Sequence, residues 1–411
     1  MTLPATKPPL EANRRGLPRP AAFWLVAGAT AVLTAASSAP SPLYAVYQIE
    51  FRFSAITLTV IFAIYVLALL MSLLTVGRLS DYVGRRVVLA IALLVEAGAM
   101  ALFLGATDVG WLLIARIVQG FATGAALGVL GAYLLDLQPS DGSRLGSLVN
   151  SAAPTFGLGL GAILTGLLIQ YAPHPTRLIF VILTALFVLL AMATAALPET
   201  VQRLPGALAA MRPQIAVPSR ARRAFAAAVP TMVATWALGG LILSVGGSLL
   251  STVFSQTNYG VIGVVIGIFP VASAVAAVLA RDLSPSTMAQ SGNAVLVVGT
   301  VLFLIALGSS SFVVFVVASV VAGAGFGAAF LGALRSVSQL AEPHERAALL
   351  SAVYVVSYVA FSVPALVAGL ATTHIGLRDT SLGYGGFVAV VALGTLGLAR
   401  LNGRRHPDAA A

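Results

Sequence analysis

Side chains able to do chemistry are scarce in this 411-residue chain, so where they stand matters more than how many there are. There is no cysteine, which rules out disulfides, thiolate metal sites and thiolate nucleophiles. Four histidines, His174, His344, His374 and His406, sit at the ends of apolar segments, and no two have the i, i+4 spacing of a zinc-binding helix. No Gly-x-x-x-x-Gly-Lys-Ser/Thr loop is present, so drive by a bound nucleotide is excluded, and no cofactor or metal is expected. Two charged residues stand where charge is expensive. Glu96 lies between Leu93-Leu94-Val95 and Ala97-Gly98-Ala99, and Arg116 lies within the run that begins at Trp111. A carboxyl group held in lipid suits the carriage of a proton, although bonding to a neighbouring helix would also account for it. A guanidinium there must face a bundle interior or a wet cavity, or else bind backbone carbonyls.

The elements that position these residues follow from composition. Hydrophobic residues make up 59% of the chain and charged ones 9%, and mean hydropathy is +0.99. A water-soluble surface needs about a quarter charged residues, so this chain belongs in a bilayer. Lipid offers backbone amides no partners, so continuous apolar runs of about 20 residues must be helices, and a barrel would show shorter alternating segments. Runs near 21–45, 55–76, 87–105, 111–135, 145–171, 178–197, 225–250, 260–280, 291–308, 312–334, 347–372 and 382–401 predict twelve spans. Pro198–Ala224, with five arginines and four prolines, reads as a cytoplasmic linker between halves 21–197 and 225–401. Residues 1–20 and 402–411 read as cytoplasmic tails. The apolar run after residue 20 is longer than a signal-peptide core, so an uncleaved first helix is expected.

Charge tests this arrangement. With both termini inside, nineteen of the 23 basic residues are cytoplasmic, and only Arg52, Arg177 and Arg378 face outward. Arg116 is the remaining one. This is the asymmetry of the positive-inside rule, and a shift by one helix would destroy it. The basic residues lie between apolar runs rather than in one patch, so the net charge of +10 does not indicate a nucleic-acid partner. An internal repeat supports two halves: Ala115–Gly120 aligns with Ala318–Gly323 at an offset of 203, continuing through Gly124-Ala125-Ala126 and Gly327-Ala328-Ala329. The repeat makes the fourth and tenth helices equivalent.

The loop between the second and third helices reads Gly77-Arg78-Leu79-Ser80-Asp81-Tyr82-Val83-Gly84-Arg85-Arg86. Its glycines allow a tight turn. Asp81 is placed to cap the third helix and pair with an arginine, while Arg85 and Arg86 face the anionic membrane surface. This segment resembles the signature loop of the major facilitator superfamily, Gly-x-Leu-x-Asp-x-x-Gly-Arg-Arg. The resemblance implies an all-helical membrane transporter of two six-helix bundles, with substrate bound near the midplane. Three further segments fit it. Arg116-Ile117-Val118-Gln119-Gly120 is similar to the superfamily's Arg-x-x-Gln-Gly, whose arginine is associated with proton coupling in drug–proton antiporters. Ala153-Pro154-Thr155-Phe156-Gly157-Leu158-Gly159-Leu160-Gly161 resembles the fifth-helix antiporter pattern in part, and Pro154, Gly157 and Gly161 are its expected hinge and packing positions. Leu197-Pro198-Glu199-Thr200 ends the sixth helix as superfamily members often do. Gly77, Asp81, Gly84, Arg85 and Arg86, with Asp136 at the inner end of the fourth helix, are expected to form a cytoplasmic latch.

The resemblance places the first, fourth, seventh and tenth helices around the cavity, with contributions from their neighbours. Tyr44, Tyr65, Gln119, Asn150, Trp236, Tyr354 and Tyr358 are therefore the substrate-cavity candidates, although packing or interface roles would equally account for any one of them. Pro40 and Pro42 interrupt the first helix and expose backbone groups usable for binding. An aromatic, weakly polar cavity favours an apolar or amphipathic substrate, including cationic ones. The expectation is a monomeric, non-enzymatic, multi-pass transporter of the cell (inner) membrane, exporting small lipophilic or cationic compounds against protons. The alternatives are a proton-coupled uptake symporter for an organic metabolite and, from other classes, an integral membrane enzyme or a non-transporting sensor.

Overall fold

A computed structural model describes residues 16–139, 145–342 and 345–405, so Lys7, Arg14, Arg15, Arg144, His344 and His406 lie outside the described residues. Eleven helices are long and apolar enough to cross a membrane. We label them α1 (Arg19–Phe51), α2 (Ala55–Thr75), α3 (Arg85–Leu104), α4 (Val109–Leu137), α5 (Leu145–Tyr171) and α6 (Leu178–Ala196), followed by α7 (Ser219–Thr252), α8 (Tyr259–Leu279), α9 (Pro285–Ser309) and α10 (Phe312–Ser338). The eleventh, Arg346–Gly397, has 52 residues, a length of about 78 Å against an apolar core of about 30 Å. Its backbone leaves helical geometry at Gly376 (φ 80°, ψ 163°), so it makes two passes, α11 (346–375) and α12 (377–405). The break needs glycine because a positive φ is costly for any residue with a Cβ.

Several predicted spans begin too late or end too early. Residues 373–381, expected as a loop, are helical on both sides of Gly376, and α9 starts at Pro285 rather than near 291. Polar side chains satisfy the first amides of several helices: Ser54 on α2, Asp108 on α4, Asn258 on α8, Ser284 on α9 and Ser311 on α10. Apolar content alone does not mark these starts.

The internal repeat has a packing reason. A Cβ on Gly120 would stand 2.2 Å from the Tyr65 carbonyl oxygen, and one on Gly124 would stand 2.4 Å from that of Leu69, so both glycines let α4 lie directly on α2. In the second half a Cβ on Gly323 or Gly327 would stand 2.2 or 2.1 Å from the carbonyl oxygen of Phe269 or Ser273, so these glycines seat α10 on α8 in the same way.

Contacts between the halves gather on the outer side. Gly159 and Gly166 of α5 interlock with Gly267, Val271 and Gly263 of α8. Thr59 of α2 packs on Gly369 of α11, the rings of Phe62 and Phe361 lie 5.1 Å apart, and Ser248 of α7 donates to Gln48 of α1 at 2.8 Å. Toward the cytoplasm, α8 parts from α1 and α5 and leaves a cleft. The arrangement is closed outside and parted inside.

Candidate functional site

The first layer of the site is a buried polar network in the N-terminal half, and its origin is the break in α1. Pro40 has no N–H, so the carbonyl of Ala36, four residues earlier, loses its helical partner. Gln119 of α4 fills the vacancy: its Nε2 donates to the Ala36 oxygen at 2.9 Å. Arg116, one turn away, donates from Nη1 to the Ser37 carbonyl at 3.1 Å and to Gln119 Oε1 at 2.7 Å. Its Nε donates to the Tyr44 hydroxyl at 2.8 Å, and Nη2 donates to the same oxygen. The guanidinium carbon lies 4.9 Å from the centroid of the Tyr65 ring and 5.7 Å from that of Phe103. A charge this deep costs about 3 kcal/mol by insertion scales, and hydrogen bonds with flanking π faces offset that cost. The backbone groups exposed by the interrupted helix, expected to be usable for binding, are here taken up by Arg116 and Gln119.

Glu96 joins this network from α3. It has no solvent exposure, and the Thr123 hydroxyl donates to its two oxygens at 3.3 and 3.5 Å. Gln119 also interacts with the carboxyl group, and Arg116 acts on it from farther away. Among the described residues neither Glu96 nor Arg116 forms an ion pair. Third helices of the superfamily usually lie at the bundle's outside, but position 96 is turned inward against α4.

The second layer is aromatic and belongs to the C-terminal half. Trp236 of α7 is ringed by Tyr358, Phe330, Phe361 and Phe326, with centroids at 5.1, 5.3, 5.4 and 6.0 Å. Tyr354 lies beside Tyr358 at 6.1 Å. The indole N–H of Trp236 is shut off from solvent and has no hydrogen-bond partner in the protein. Of the cavity candidates, Tyr44, Tyr65 and Gln119 thus gather around Arg116, and Trp236, Tyr354 and Tyr358 gather in the aromatic cluster. Asn150 stands apart, its amide oxygen against Gly131 of α4. Phe326, Phe330 and Phe361 were missed, because phenylalanine in an apolar run carries no signal beyond its hydrophobicity.

The third layer closes the cytoplasmic end of the N-terminal half. Arg85 donates from Nε to Asp136 at 2.6 Å and from Nη1 to Asp81 at 3.1 Å, and the Thr200 hydroxyl donates to the same Asp136 oxygen at 2.6 Å. Asp81 does not cap α3, contrary to expectation. Glu199 does so from across the bundle, accepting from the amides of Arg85 at 3.0 Å and Arg86 at 3.2 Å. Gly84 permits this approach, since its φ of 108° admits glycine and a Cβ there would stand 2.8 Å from the Glu199 carboxylate. Arg85 and Arg86 were also expected to face the lipid surface. Arg85 is instead buried, with Asp136 and Asp81, the acids named with it in the expected latch, as its partners, and Arg86 donates to the Ala195 carbonyl at 2.6 Å. Pro154 lies inside α5, while Gly157 and Gly161 seat α5 against Ala31, Thr34 and Ala35 of α1.

Comparison with known proteins places the chain. The family model of the Major Facilitator Superfamily matches residues 26–290. The chain belongs to this superfamily of membrane transporters and is a multi-pass membrane protein. It is 32% identical over 140 residues to an uncharacterized transporter of Rickettsia bellii and 32% identical over 139 residues to one of Rickettsia felis. The matched part is 34% of this chain and 34% of the Rickettsia bellii protein, and 33% and 34% for the Rickettsia felis protein. Among solved structures, a bacterial homolog of the human lysosomal transporter Spinster, inward-facing and unoccupied, superposes with a TM-score of 0.75 at 12% identity, covering 93% of this chain and 97% of that one. The human organic anion transporter MFSD10 gives 0.67 at 17% identity, covering 92% and 100%. The nucleoside transporter NupG gives 0.64 at 15%, covering 92% and 98%. These likenesses concern the fold.

Proposed function

We propose that this chain is a proton-coupled secondary transporter that exports small lipophilic or cationic compounds by alternating access. The observation that carries the reading is Glu96, a carboxyl group without solvent exposure or a cationic partner, set beside Thr123, Gln119 and Arg116. Its neutral form is tolerated in that environment, and its ionised form must draw on Gln119 and Arg116. Those two side chains also hold the broken part of α1. Loss of the proton from Glu96 therefore competes with the bonds from Arg116 to Tyr44 and Ser37, and loosens α1 near the Gln48–Ser248 bond between the halves.

The aromatic cluster around Trp236 supports the substrate class. Its six aromatic side chains suit a flat or cationic group. The unpaired indole N–H, which costs about 1–3 kcal/mol while buried, is recovered by a substrate carrying one acceptor. The export direction rests on the resemblance of 153–161 to the antiporter pattern, and the α5 glycines of that segment line both the α1 and α8 seams. The Arg85–Asp136–Asp81 network is taken to stabilise one of the alternating states.

The test is transport by purified protein in proteoliposomes with an imposed pH gradient, screened over a panel of lipophilic dyes and cations. Glu96→Gln and Arg116→Ala run beside the parent. Proton-driven flux should fall about a hundredfold or more in Glu96→Gln, the scale at which a proton-transfer group acts, while gradient-free exchange persists. Unchanged proton-driven flux in both variants would sink the coupling assignment.

A further inference from the structure

The cleft between the inner halves of α1, α5 and α8 has no role in the reading above. It has a volume of about 520 Å³, within the range of small-molecule pockets, and its walls are apolar: Trp24, Gly28, Ala153, Phe156, Val275 and Leu279 are among them. Its roof is the closure at Gly159, where a Cβ would stand 2.4 Å from a methyl carbon of Val271. Nothing lies within 4 Å of the position a Cβ on Gly28 would take, so this wall faces open space. The Trp24 side is 60% exposed, and an exposed tryptophan near the start of α1 marks the headgroup level of the cytoplasmic leaflet. From Trp24 to Ala31, a further wall residue, the cleft runs about 10 Å along α1, most of the ~15 Å of one leaflet's hydrocarbon.

We infer that this cleft holds one acyl chain of an anionic phospholipid drawn from the cytoplasmic leaflet. An apolar cleft that opens sideways into a bilayer is filled by what the bilayer supplies. The wall residues offer no polar side chain other than the Trp24 indole, so they suit a hydrocarbon chain better than an amphipathic solute. The charge at the mouth selects the headgroup. Arg281 stands two residues beyond Leu279 with its side chain 51% exposed. Arg335 donates to the Arg281 carbonyl at 2.8 Å and brings a second guanidinium to the same rim. Asp282, paired with Arg281 at 3.3 Å, is the acid adjoining them in sequence and is itself 86% exposed. A chain lodged there wedges the inner ends of α5 and α8 apart and favours the arrangement parted inside. This inference does not depend on the identity of the substrate or the coupling ion.

The experiment reads Trp24 directly. A variant carrying Trp111→Phe and Trp236→Phe keeps Trp24 as its one tryptophan. It is placed in phosphatidylcholine nanodiscs with a fixed minority of chain-brominated lipid, either phosphatidylglycerol or phosphatidylcholine. Quenching should report roughly fivefold enrichment of the brominated phosphatidylglycerol beside Trp24, the ratio one basic residue gives at an anionic surface. Gly28→Phe should reduce quenching by both lipids by filling the cleft. Arg281→Gln, which leaves the cleft intact, should keep the quenching but erase the preference. Equal quenching by the two lipids in the parent overturns the assignment, as does a preference that survives both substitutions.

Discussion

Arg116 and Glu96 are ordinary residue types made unusual by the bonds around them. Arg116 spends its donors on a tyrosine hydroxyl, a main-chain carbonyl and an amide, so its charge is held without a carboxylate. Tyr44 is the weakest link, because a single oxygen accepts from two guanidinium nitrogens. Tyr44→Phe keeps the ring and removes that oxygen, leaving a buried charged donor unpaired. Thermal unfolding in detergent should report about 2 kcal/mol of destabilisation, the cost of a lost hydrogen bond to a charged group. Released from Tyr44 but still held by the Ser37 carbonyl, Arg116 should then turn toward Glu96, so that proton-driven flux falls as it does in Glu96→Gln. Proton-driven flux equal to that of the parent would mark Arg116 as structural rather than coupled.

At the scale of elements, the α2–α3 loop is held from outside itself. The amides at the start of α3 are capped by Glu199, which arrives from the end of α6, and the Arg85 side chain reaches Asp136 at the end of α4. One carboxylate thus ties the sixth helix to the third. Glu199→Ala should cost about 1 kcal/mol through loss of the cap, with the larger effect on local opening of the loop. Hydrogen exchange at the first turn of α3 measures this, and protection equal to that of the parent would show that water can replace the cap. The helix breaks belong to the same scale. Pro40 opens α1 where α4 supplies a replacement donor, and Gly376 separates α11 from α12.

At the scale of the whole molecule, the outer closure depends on two facing glycines. A Cβ on Gly166 would meet the Gly263 Cα and the Tyr259 carbonyl oxygen at 2.6 Å each. Gly166→Val should therefore force α5 and α8 apart on the outside and shift the population away from the arrangement parted inside. The cysteine-free chain makes the measurement clean, since a single cysteine introduced at Ile262, buried next to Gly263 on α8, reports its own accessibility. Its labelling from the outer side should rise roughly tenfold, corresponding to about 1.4 kcal/mol of population shift. No change in labelling would mean that the seam adapts to a larger residue.

The superfamily loop and the membrane-spanning helices were legible in the sequence because they follow from local composition. Apolar run length sets a span, and the spacing of Gly77, Asp81, Gly84 and Arg85 is contiguous. Arg116 and Glu96 were legible as anomalies for the same reason: each is a charge within an apolar run. Their proximity was not, since residues on two different helices meet only through the rotation of α3 against α4. The cap from Glu199, the bond from Thr200 to Asp136, the ring of phenylalanines around Trp236 and the cleft between α1, α5 and α8 all join residues tens to hundreds of positions apart. Tertiary structure alone decides these, because the physical cause in each case is how closely glycine-lined helices approach and on which side of the membrane they part.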